Sequence, residues 1–427
     1  MKSLEQRRIR IFEINSRAVT IALSLMLLFA LIAVPTPAAQ AQTYSIIHNF
    51  FGGQDGATPE AGLTVDTVGN LYGTASAGGS GYGTAYRLQY EAGWPFNPLF
   101  DFDGDPTARV VFGPDGRLYG AEPYYSGGRF QGTVFNLGPP PRACPTLFCA
   151  WNFNYLWVFS GAADGGHPGY GDLIFDQTGN MYGTTVGGGS SSGGGYGVVF
   201  EMTGSGYNWT ERPLYAFSGG TDGQFPYNGV IFDNAGNLYG TTYAGGLDGY
   251  GTAFELSPSQ GGGYWTENCL YSFHNGSDGS SLRAGLTFDK SRSNLYGATS
   301  DGGSGGGGTV FKLTPGANCS WTYTLLYSFS GNVGRNCGPW ASLAMDTAGN
   351  LYGTTYCDGA NSAGSVFKLT PTPTPPWTYT SLHDFTGGSD GGNPVSNVLL
   401  HPNGKLYGTA SVGGSQGVGV IWEITPN

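Results

Sequence analysis

The chain has 427 residues with 18 basic and 29 acidic side chains, a net charge of −11, and contains 76 glycines and 14% aromatic residues. The acidic balance argues against nucleic acid as a partner, because such a surface repels a phosphate backbone. The frequent aromatic residues exclude disorder of the whole chain, and many glycines with few charges are typical of short strands joined by tight turns.

The first 41 residues have the three parts of a secretory signal peptide. Basic residues at positions 2, 7, 8, 10 and 17 precede an uncharged run over 18–34, and Ala39-Gln40-Ala41 follows as a small-x-small cleavage site. Cleavage after Ala41 removes five basic and two acidic side chains, which changes the net charge from −11 to −14. The alternative is a retained membrane anchor. We predict a signal peptide over 1–41, a folded domain over 42–427, and a secreted, periplasmic or cell-surface location.

A short motif, in which Leu or Met is followed by Tyr and Gly, occurs seven times after the signal region. Successive copies lie 47, 63, 57, 57, 56 and 55 residues apart. Such periods are typical of propeller blades, whereas solenoid repeats are shorter and more uniform. The copies occupy residues 70–73, 117–120, 180–183, 237–240, 294–297, 350–353 and 405–408.

Each period contains four strand-like runs, which we name A to D. An apolar run such as 229–233 forms strand A, and the turn from Asp233 to Asn237 places Gly236 where a positive φ is needed. The motif itself forms strand B. After a double glycine, an alternating run such as 308–313 forms strand C, and a run that follows a tryptophan, such as 265–273, forms strand D.

The two ends of the processed chain are out of phase with the repeat. Residues 44–50 match strand D, whereas residues 419–424 match strand C. Pairing the two removes an exposed sheet edge and closes the ring. We therefore predict an all-β fold, a seven-bladed β-propeller with four-stranded antiparallel blades, in which the N-terminal strand completes the last blade.

The run Gly-Asn-Leu-Tyr-Gly-Thr-Thr at 236–242 and its copy at 349–355 resemble the core of the exported tandem-repeat family named for Gloeobacter and Verrucomicrobia. The resemblance covers residues 44–426. The second copy departs from it at Arg117, Ala121 and Glu122, and the seventh has Lys405 in place of Asn. The double glycine and later tryptophan are also similar to kelch repeats, and the A-turn-B run is similar to NHL repeats. The resemblance implies a propeller and export but no settled activity.

Six cysteines in an exported chain indicate disulfides. Cys144 and Cys149 lie close together in an insertion and form a candidate pair. Cys337 and Cys357 fall in two loops on the same face of the predicted ring and form a second candidate pair, while the sequence does not pair the remaining two. Zinc is the alternative, but the sequence lacks a double Cys-x-x-Cys pattern and a neighbouring histidine, so we predict no metal site.

An aspartate recurs in the loop from strand D to strand A. Propeller ligands usually bind on the face that these loops share with the B–C loops, so the aspartates are candidate ligand-face residues. They could hold calcium or a cationic ligand, but Asp-Gly is also an ordinary turn dipeptide, and calcium needs six to eight converging oxygens. The turn role is therefore favoured. The five aspartates are Asp55, Asp164, Asp222, Asp278 and Asp390. The sixth blade lacks this aspartate pattern and has residues 332–337 in its place.

Six tryptophans precede the D strands at a constant spacing. They either stack on sugar rings or pack between blades, and packing is favoured because D is the outer strand. These residues are Trp94, Trp151, Trp209, Trp265, Trp321 and Trp377.

The sequence contains no recognisable catalytic constellation. His48, His274 and His383 lie near the ends of D strands, far from one another, and none has a second histidine or a carboxylate at ligand spacing. Seven near-equal blades without an odd one favour a non-catalytic binding or surface-interaction module that needs no cofactor.

For partners we expect a carbohydrate or a surface protein, no nucleic acid, no membrane contact beyond the signal peptide, and a monomer. One alternative is an extracellular carbohydrate-active enzyme, a lyase or glycosidase, which would show paired carboxylates at the channel mouth. The other is a structural component of the cell envelope.

Overall fold

The computed structural model describes residues 42–124, 131–140, 151–191, 194–259, 261, 263–317, 320–331, 334 and 336–426. The predicted signal peptide and the candidate pair of Cys144 and Cys149 lie outside these residues. From Thr43 to Pro426 the chain forms one compact unit. Nowhere in the described residues is there a helix with the length and apolar character needed to cross a membrane.

The strands of the first four blades follow β1 (Thr43–Asn49). Blade 1 contains β2 (Thr64–Val65), β3 (Leu71–Ala75), β4 (Thr84–Leu88) and β5 (Phe96–Asp101). Blade 2 contains β6 (Val111–Phe112), β7 (Leu118–Glu122), β8 (Thr133–Gly138) and β9 (Asn152–Val158). Blade 3 contains β10 (Gly166–Pro168), β11 (Ile174–Phe175), β12 (Met181–Gly187), β13 (Val198–Ser205) and β14 (Asn208–Ala216). Blade 4 contains β15 (Ile231–Phe232), β16 (Leu238–Thr242), β17 (Thr252–Ser257) and β18 (Thr266–Ser272).

The last three blades repeat the same order. Blade 5 contains β19 (Thr287–Phe288), β20 (Leu295–Thr299), β21 (Thr309–Thr314) and β22 (Thr322–Ser328). Blade 6 contains β23 (Ala344–Met345), β24 (Leu351–Thr355), β25 (Ser365–Thr370) and β26 (Thr378–Asp384). Blade 7 contains β27 (Leu399–Leu400), β28 (Leu406–Ala410) and β29 (Val420–Thr425).

The fourth strand of blade 7 is β1. It pairs antiparallel with β29, in a register that runs from Thr43 opposite Thr425 to Asn49 opposite Val420. The sheet order β1-β29-β28-β27 is therefore that of the other blades, read from the outer strand inward. The prediction of a seven-bladed all-β propeller closed by its N-terminal strand is confirmed.

The innermost strands are shorter than the five-residue A runs that the sequence indicated. The blade 4 strand has only Ile231 and Phe232. The residues before each strand A instead contact the preceding blade, because a threonine of that blade's strand B bonds to them. The Thr241 hydroxyl donates to the Ala284 carbonyl at 2.9 Å, and the Thr409 hydroxyl donates to the Ala61 carbonyl at 3.1 Å. The second bond joins blade 7 to blade 1 and adds to the closure of the ring.

The A–B turn explains the Asp, Asn and Tyr of the repeat. In blade 4 the Asp233 carboxylate accepts bonds from the backbone N–H groups of Ala235 at 2.8 Å and Asn237 at 2.9 Å. Its other oxygen accepts from the Asn237 amide at 2.9 Å and the Tyr239 hydroxyl at 3.3 Å. One carboxylate thus satisfies the turn backbone and two side chains of the motif, as expected of an Asx turn.

The glycine of the motif lies beneath an aromatic ring of strand C. Gly240 pairs with Phe254 across β16 and β17, and a Cβ atom on Gly240 would stand 2.5 Å from Cζ of Phe254. A buried ring covers the equivalent glycine in each of the seven blades, so the repeat needs Gly here to admit the ring. The rings belong to Tyr86, Phe135, Phe200, Phe254, Phe311, Phe367 and Trp422.

We expect Gly240→Ala to destabilise the propeller by about 1–3 kcal/mol, because the added methyl overpacks a closed core. Urea unfolding measures the effect, with Gly53→Ala as the control, since a Cβ there meets nothing within 4 Å. Adding Phe254→Leu should cost less in the Gly240→Ala background than in the parent chain, because it relieves the same clash. Equal costs in the two backgrounds would contradict this origin of the glycine.

The tryptophans pack between blades, as predicted. Trp321 of blade 5 lies with its ring centre 6.4 Å from that of Tyr239 in blade 4, and Trp94 of blade 1 lies 5.4 Å from Tyr407 in blade 7. Trp151, Trp209, Trp265 and Trp377 contact the motif tyrosine of the preceding blade in the same way. Each tryptophan therefore joins two blades at the rim, which leaves the central channel to other residues.

Candidate functional site

A cavity of about 140 Å³ opens at the centre of the face formed by the D–A and B–C loops. It is lined by one residue from each blade, taken from the same repeat position just before strand A. We call these seven residues the channel mouth: Glu60, Thr107, Tyr170, Tyr227, Arg283, Trp340 and Val395. The scaffold is nearly seven-fold symmetric, but the side chains that it places around the axis are chemically different.

Blades 3, 4 and 6 contribute two groups of aromatic rings, which together we call the aromatic arc: Tyr170, Tyr227, Tyr243, Trp340 and Tyr356. Tyr170 and Tyr227 have ring centres 5.3 Å apart, and Tyr227 and Tyr243 lie 5.2 Å apart. Trp340 and Tyr356 are stacked at 4.1 Å. Arg283 bridges the two parts of the arc, with its guanidinium carbon 5.0 Å from the ring centre of Tyr243 and 4.2 Å from that of Trp340.

A disulfide fixes the blade 6 side of the arc. Cys337, in the D–A loop, is bonded to Cys357, in the B–C loop, with a Cα–Cα distance of 4.5 Å. Trp340 follows three residues after the first cysteine and Tyr356 directly precedes the second, so the bond holds together the loops that carry the stacked pair. The indole N–H of Trp340 also donates to the Asn336 carbonyl at 2.9 Å. Of the other described cysteines, Cys269 is also disulfide-bonded.

The opposite side of the mouth is acidic. Glu60 of blade 1 is half-buried, and burial raises the pKa of its carboxyl, with a further contribution from Asp105 and an opposing hydrogen bond from Ser76. Burial also raises the pKa of the Asp105 carboxyl. The mouth therefore has an aromatic and cationic side in blades 3 to 6 and a carboxyl side in blades 1 and 2.

Glu122 lies behind this carboxyl side. It replaces the second threonine of the Gly-Thr-Thr run, and its side chain is fully buried. The Thr133 hydroxyl donates to one carboxyl oxygen at 3.1 Å, and no described group bonds to the other. Burial, with smaller contributions from Asp103 and Asp105, raises the pKa of Glu122 to about 8, so the group is largely protonated at neutral pH.

Below the mouth, the next residues along the A strands narrow the channel. Arg109 and Asp172 form an ion pair across two blades at 2.5 Å. The Ser342 hydroxyl accepts from the Gly285 N–H at 3.1 Å and donates to the Asn228 amide oxygen at 3.2 Å. These polar groups satisfy one another, and they line a smaller cavity of about 70 Å³ that continues below the mouth.

A wider depression of about 810 Å³ lies at the other end of the channel, lined by the A–B turns of blades 3 to 5. Several of its polar side chains are already used within the structure. Asp176 accepts from its own turn, as Asp233 does, and the Arg292 guanidinium donates to the Phe232 carbonyl at 2.8 Å.

The five D–A aspartates stay within their own loops. Asp222 accepts from the Ser218 N–H at 2.8 Å and the Tyr215 hydroxyl at 3.0 Å, and Asp278 accepts from the His274 N–H at 2.9 Å. The same carboxylate-to-turn bond occurs at Asp55, Asp164 and Asp390. The described residues contain no group of three His, Cys, Asp or Glu side chains that could hold a metal ion. These contacts fit the turn role that the sequence favoured.

The structure places carboxylates beside the histidines, which the sequence analysis did not anticipate. His48 lies 3.2 Å from Asp55 and His383 lies 3.0 Å from Asp390, in the position that Tyr215 and Tyr271 occupy in other blades. His274 is not at this position and pairs with Asp248 at 2.5 Å. Burial lowers the pKa of His48 and of His383, despite the opposing effect of the aspartates. These pairs lie at the rim and link strand D to its following loop.

The channel mouth was missed by the sequence analysis, which expected no odd blade. The seven residues share a position but not an identity, so a search for repeated residue types does not find them. The available signal was divergence: the position eleven residues before the Leu or Met of the motif, or twelve in blade 5 where the A–B turn is one residue longer, varies between Glu, Thr, Tyr, Arg, Trp and Val within an otherwise regular repeat.

Fold and site together define a ring-closed repeat propeller with a chemically asymmetric axial cavity. A family model described as the Gloeobacter/Verrucomicrobia repeat matches residues 150–315 and 263–427. Since these matches cover more than half of the sequence, the chain belongs to this family, as the resemblance of its motif indicated.

Solved structures share the fold at low sequence identity. A protein provisionally assigned as a 6-phosphogluconolactonase from Bacteroides uniformis ATCC 8492 is 16% identical, with a TM-score of 0.52 over 82% of this chain and 89% of that one. A protein with the same assignment from Bacteroides fragilis NCTC 9343 is 16% identical, with a TM-score of 0.50 over 82% and 88%. No curated protein matches the sequence. These similarities concern the propeller fold alone.

Proposed function

We propose that this protein is an exported, non-catalytic propeller that binds carbohydrate at its channel mouth. The observation that carries the proposal is the divergence of one repeat position, which gives a symmetric scaffold an asymmetric cavity of aromatic, cationic and acidic side chains. Structural positions, such as the motif glycine, keep one residue in all blades. A position that differs in nearly every blade around a cavity is better explained by a ligand with different groups on its different sides.

Carbohydrate fits the two sides of the mouth. The aromatic arc offers flat apolar surfaces on which the C–H face of a sugar ring can lie, and Tyr170, which is 39% exposed, presents the most open of them. The Thr107 hydroxyl, which donates to the Gly169 carbonyl, can still accept a hydrogen bond from a sugar hydroxyl, and the Glu60 carboxyl lines the same cavity. With a volume of about 140 Å³, the cavity would take a chain end or a single residue.

Glycan-array screening of residues 42–427, followed by calorimetry with the best ligand, tests the proposal. Tyr170→Ala is expected to weaken binding at least tenfold, equivalent to about 1.4 kcal/mol. Tyr264→Ala is the matched control, because Tyr264 is 65% exposed and lies in the C–D loop of blade 4, on the opposite face. Absence of binding to any glycan, or equal effects of the two substitutions, would remove support for the proposal.

Export is part of the proposal and rests on residues 1–41 and on the disulfides, which persist in oxidising compartments. N-terminal sequencing of protein recovered outside the cytoplasm should begin at Gln42. A membrane-bound product that retains Met1 would contradict cleavage and favour an anchor.

A second candidate is an enzyme acting on extracellular carbohydrate, favoured by the neighbouring carboxyls of Glu60 and Asp105. Asp105 contributes to the raised pKa of Glu60, so the two carboxyls lie close enough to interact, and glycoside hydrolysis uses a pair of carboxyls. Polysaccharide turnover by the purified protein, lost in Glu60→Gln and kept in Glu91→Gln at an exposed site, would favour this candidate over simple binding.

A further inference from the structure

Arg283, which lines the channel mouth, has no acidic partner, whereas several other basic residues do. Arg109 pairs with Asp172, Arg212 with Glu201, and Lys405 with Glu423. No carboxylate of the described residues forms an ion pair with Arg283, although the chain has a net charge of −11. A cation left unpaired at the centre of an acidic protein is a candidate ligand-binding group.

The guanidinium is held by stacking rather than by hydrogen bonds. Trp340 lies 4.2 Å from its central carbon, Tyr243 lies at 5.0 Å, and Tyr227 lies at 5.2 Å. These contacts involve the faces of the aromatic rings and do not use the N–H groups. The Nε atom is buried, and no described group accepts a hydrogen bond from it. Since the described residues accept no hydrogen bond from this guanidinium and the side chain lines the cavity, its N–H groups on the cavity side are left for a ligand.

A carboxylate is the acceptor that this geometry suits best. A planar guanidinium presents parallel N–H groups that match the two oxygens of a carboxylate, and charge-assisted bonds of this kind are stronger than neutral ones. The nearby carboxyls of Glu60 and Asp105 disfavour a doubly charged phosphate, because repulsion grows with the charge of the ligand. A singly charged planar group meets both conditions.

We propose that the channel mouth recognises a sugar carboxylate, as in a uronic acid, through Arg283. The inference rests on the carbohydrate-binding function proposed above and names the class of sugar. The carboxylate lies against the N–H edge of Arg283, the sugar ring lies along the aromatic arc, and hydroxyls on its other side reach Glu60. The disulfide between Cys337 and Cys357 keeps Trp340 in place, which in turn fixes the plane of the guanidinium.

Calorimetry with two sets of probes tests the inference. The first set consists of trisaccharides of galacturonic, glucuronic and mannuronic acid, and the second consists of the same trisaccharides with the carboxyl groups reduced to alcohols. We expect the native protein to bind at least one acid trisaccharide ten times or more tightly than its reduced form. Arg283→Met should lower the affinity for the acid form to that for the reduced form, and Arg283→Lys should recover part of the difference because it keeps the charge without the fork.

Arg292→Met is the matched control, since Arg292 stacks on Phe288 near the opposite end of the channel. Urea unfolding of each variant shows whether the fold is intact, and Arg283→Lys remains informative if the Met variant does not fold. Equal affinity for acid and reduced probes, unchanged by Arg283→Met, would overturn the role of Arg283 while leaving carbohydrate binding in place. Failure of all six probes to bind, with neutral glycans also unbound in the array, would overturn both proposals.

Discussion

Removal of residues 43–50 from the mature protein is expected to abolish cooperative folding or to convert the protein into soluble aggregates. These residues contain β1, which pairs with β29 along six positions and packs Ile46, Ile47 and the fully buried Phe50 against blades 7 and 1. Burial of three such side chains contributes roughly 5 kcal/mol, which is comparable to the whole stability of many domains. The loss would also expose the edge of β29, and an unpaired edge favours association.

Size-exclusion chromatography and thermal unfolding of a chain starting at residue 51 measure this effect, and the chain starting at Gln42 is the control. A synthetic peptide of residues 42–50 should restore the monomer and its unfolding transition, because strand addition to an open edge supplies the missing bonds. The same peptide with Phe50→Asp should fail, because it places a charge in a buried position. A truncated monomer with unchanged thermal stability would show that β1 does not close the ring.

The fold was predictable because each residue of the repeat has one structural task. Asp233 and Asn237 build the A–B turn, Gly240 admits the ring of Phe254, and Thr241 bonds the next blade. Since these tasks recur in nearly every blade, they appear in the sequence as a motif with a fixed period. Because the processed chain begins with a strand of type D and ends with a strand of type C, the sequence also indicated how the ring closes.

The site was not predictable by the same reasoning, because the residues around the axis do not repeat. Tyr170, Arg283 and Trp340 become neighbours only when the blades are arranged in a ring. The departures that the sequence did show, at Glu122 and in the D–A loop of blade 6, lie beside this site. Their meaning required coordinates, since burial of Glu122 and the stacking of Trp340 on Tyr356 depend on packing between loops far apart in sequence.

The pH dependence of stability is expected to be unusual, because three buried glutamates have raised pKa values. Burial, with further contributions from Asp103 and Asp105, raises the pKa of Glu122 to about 8. Burial and the charge of Asp164 raise the pKa of Glu211 to about 8. Burial and the charge of Asp222 raise the pKa of Glu267 to about 7. Between pH 4.5 and 8 the folded chain therefore holds protons that the unfolded chain has released. The stabilisation is complete below the ordinary glutamate pKa and is lost as pH rises through 7 and 8.

The two buried histidines act in the opposite direction at lower pH. The pKa of His48 and of His383 is lowered by burial, so the unfolded chain binds their protons first and stability falls below about pH 6.5. The effect of the glutamates is therefore best separated between pH 6.5 and 9, where the histidines of the unfolded chain lose their remaining charge within about the first pH unit.

Glu122→Gln is expected to flatten the stability profile between pH 6.5 and 9, where the native protein should lose several degrees of thermal stability. Each pKa unit corresponds to about 1.4 kcal/mol, so Glu122 alone accounts for a loss on the order of 4 kcal/mol across its range. The amide keeps the shape and the bond from Thr133 but carries no charge at any pH. Thermal unfolding at half-unit pH steps gives the slope, with Glu91→Gln at an exposed site as the control. Equal slopes for the native protein and Glu122→Gln would mean that the carboxyl is ionised and solvated in the folded state. The conclusion that a protonated carboxyl lies behind the channel mouth would then be wrong.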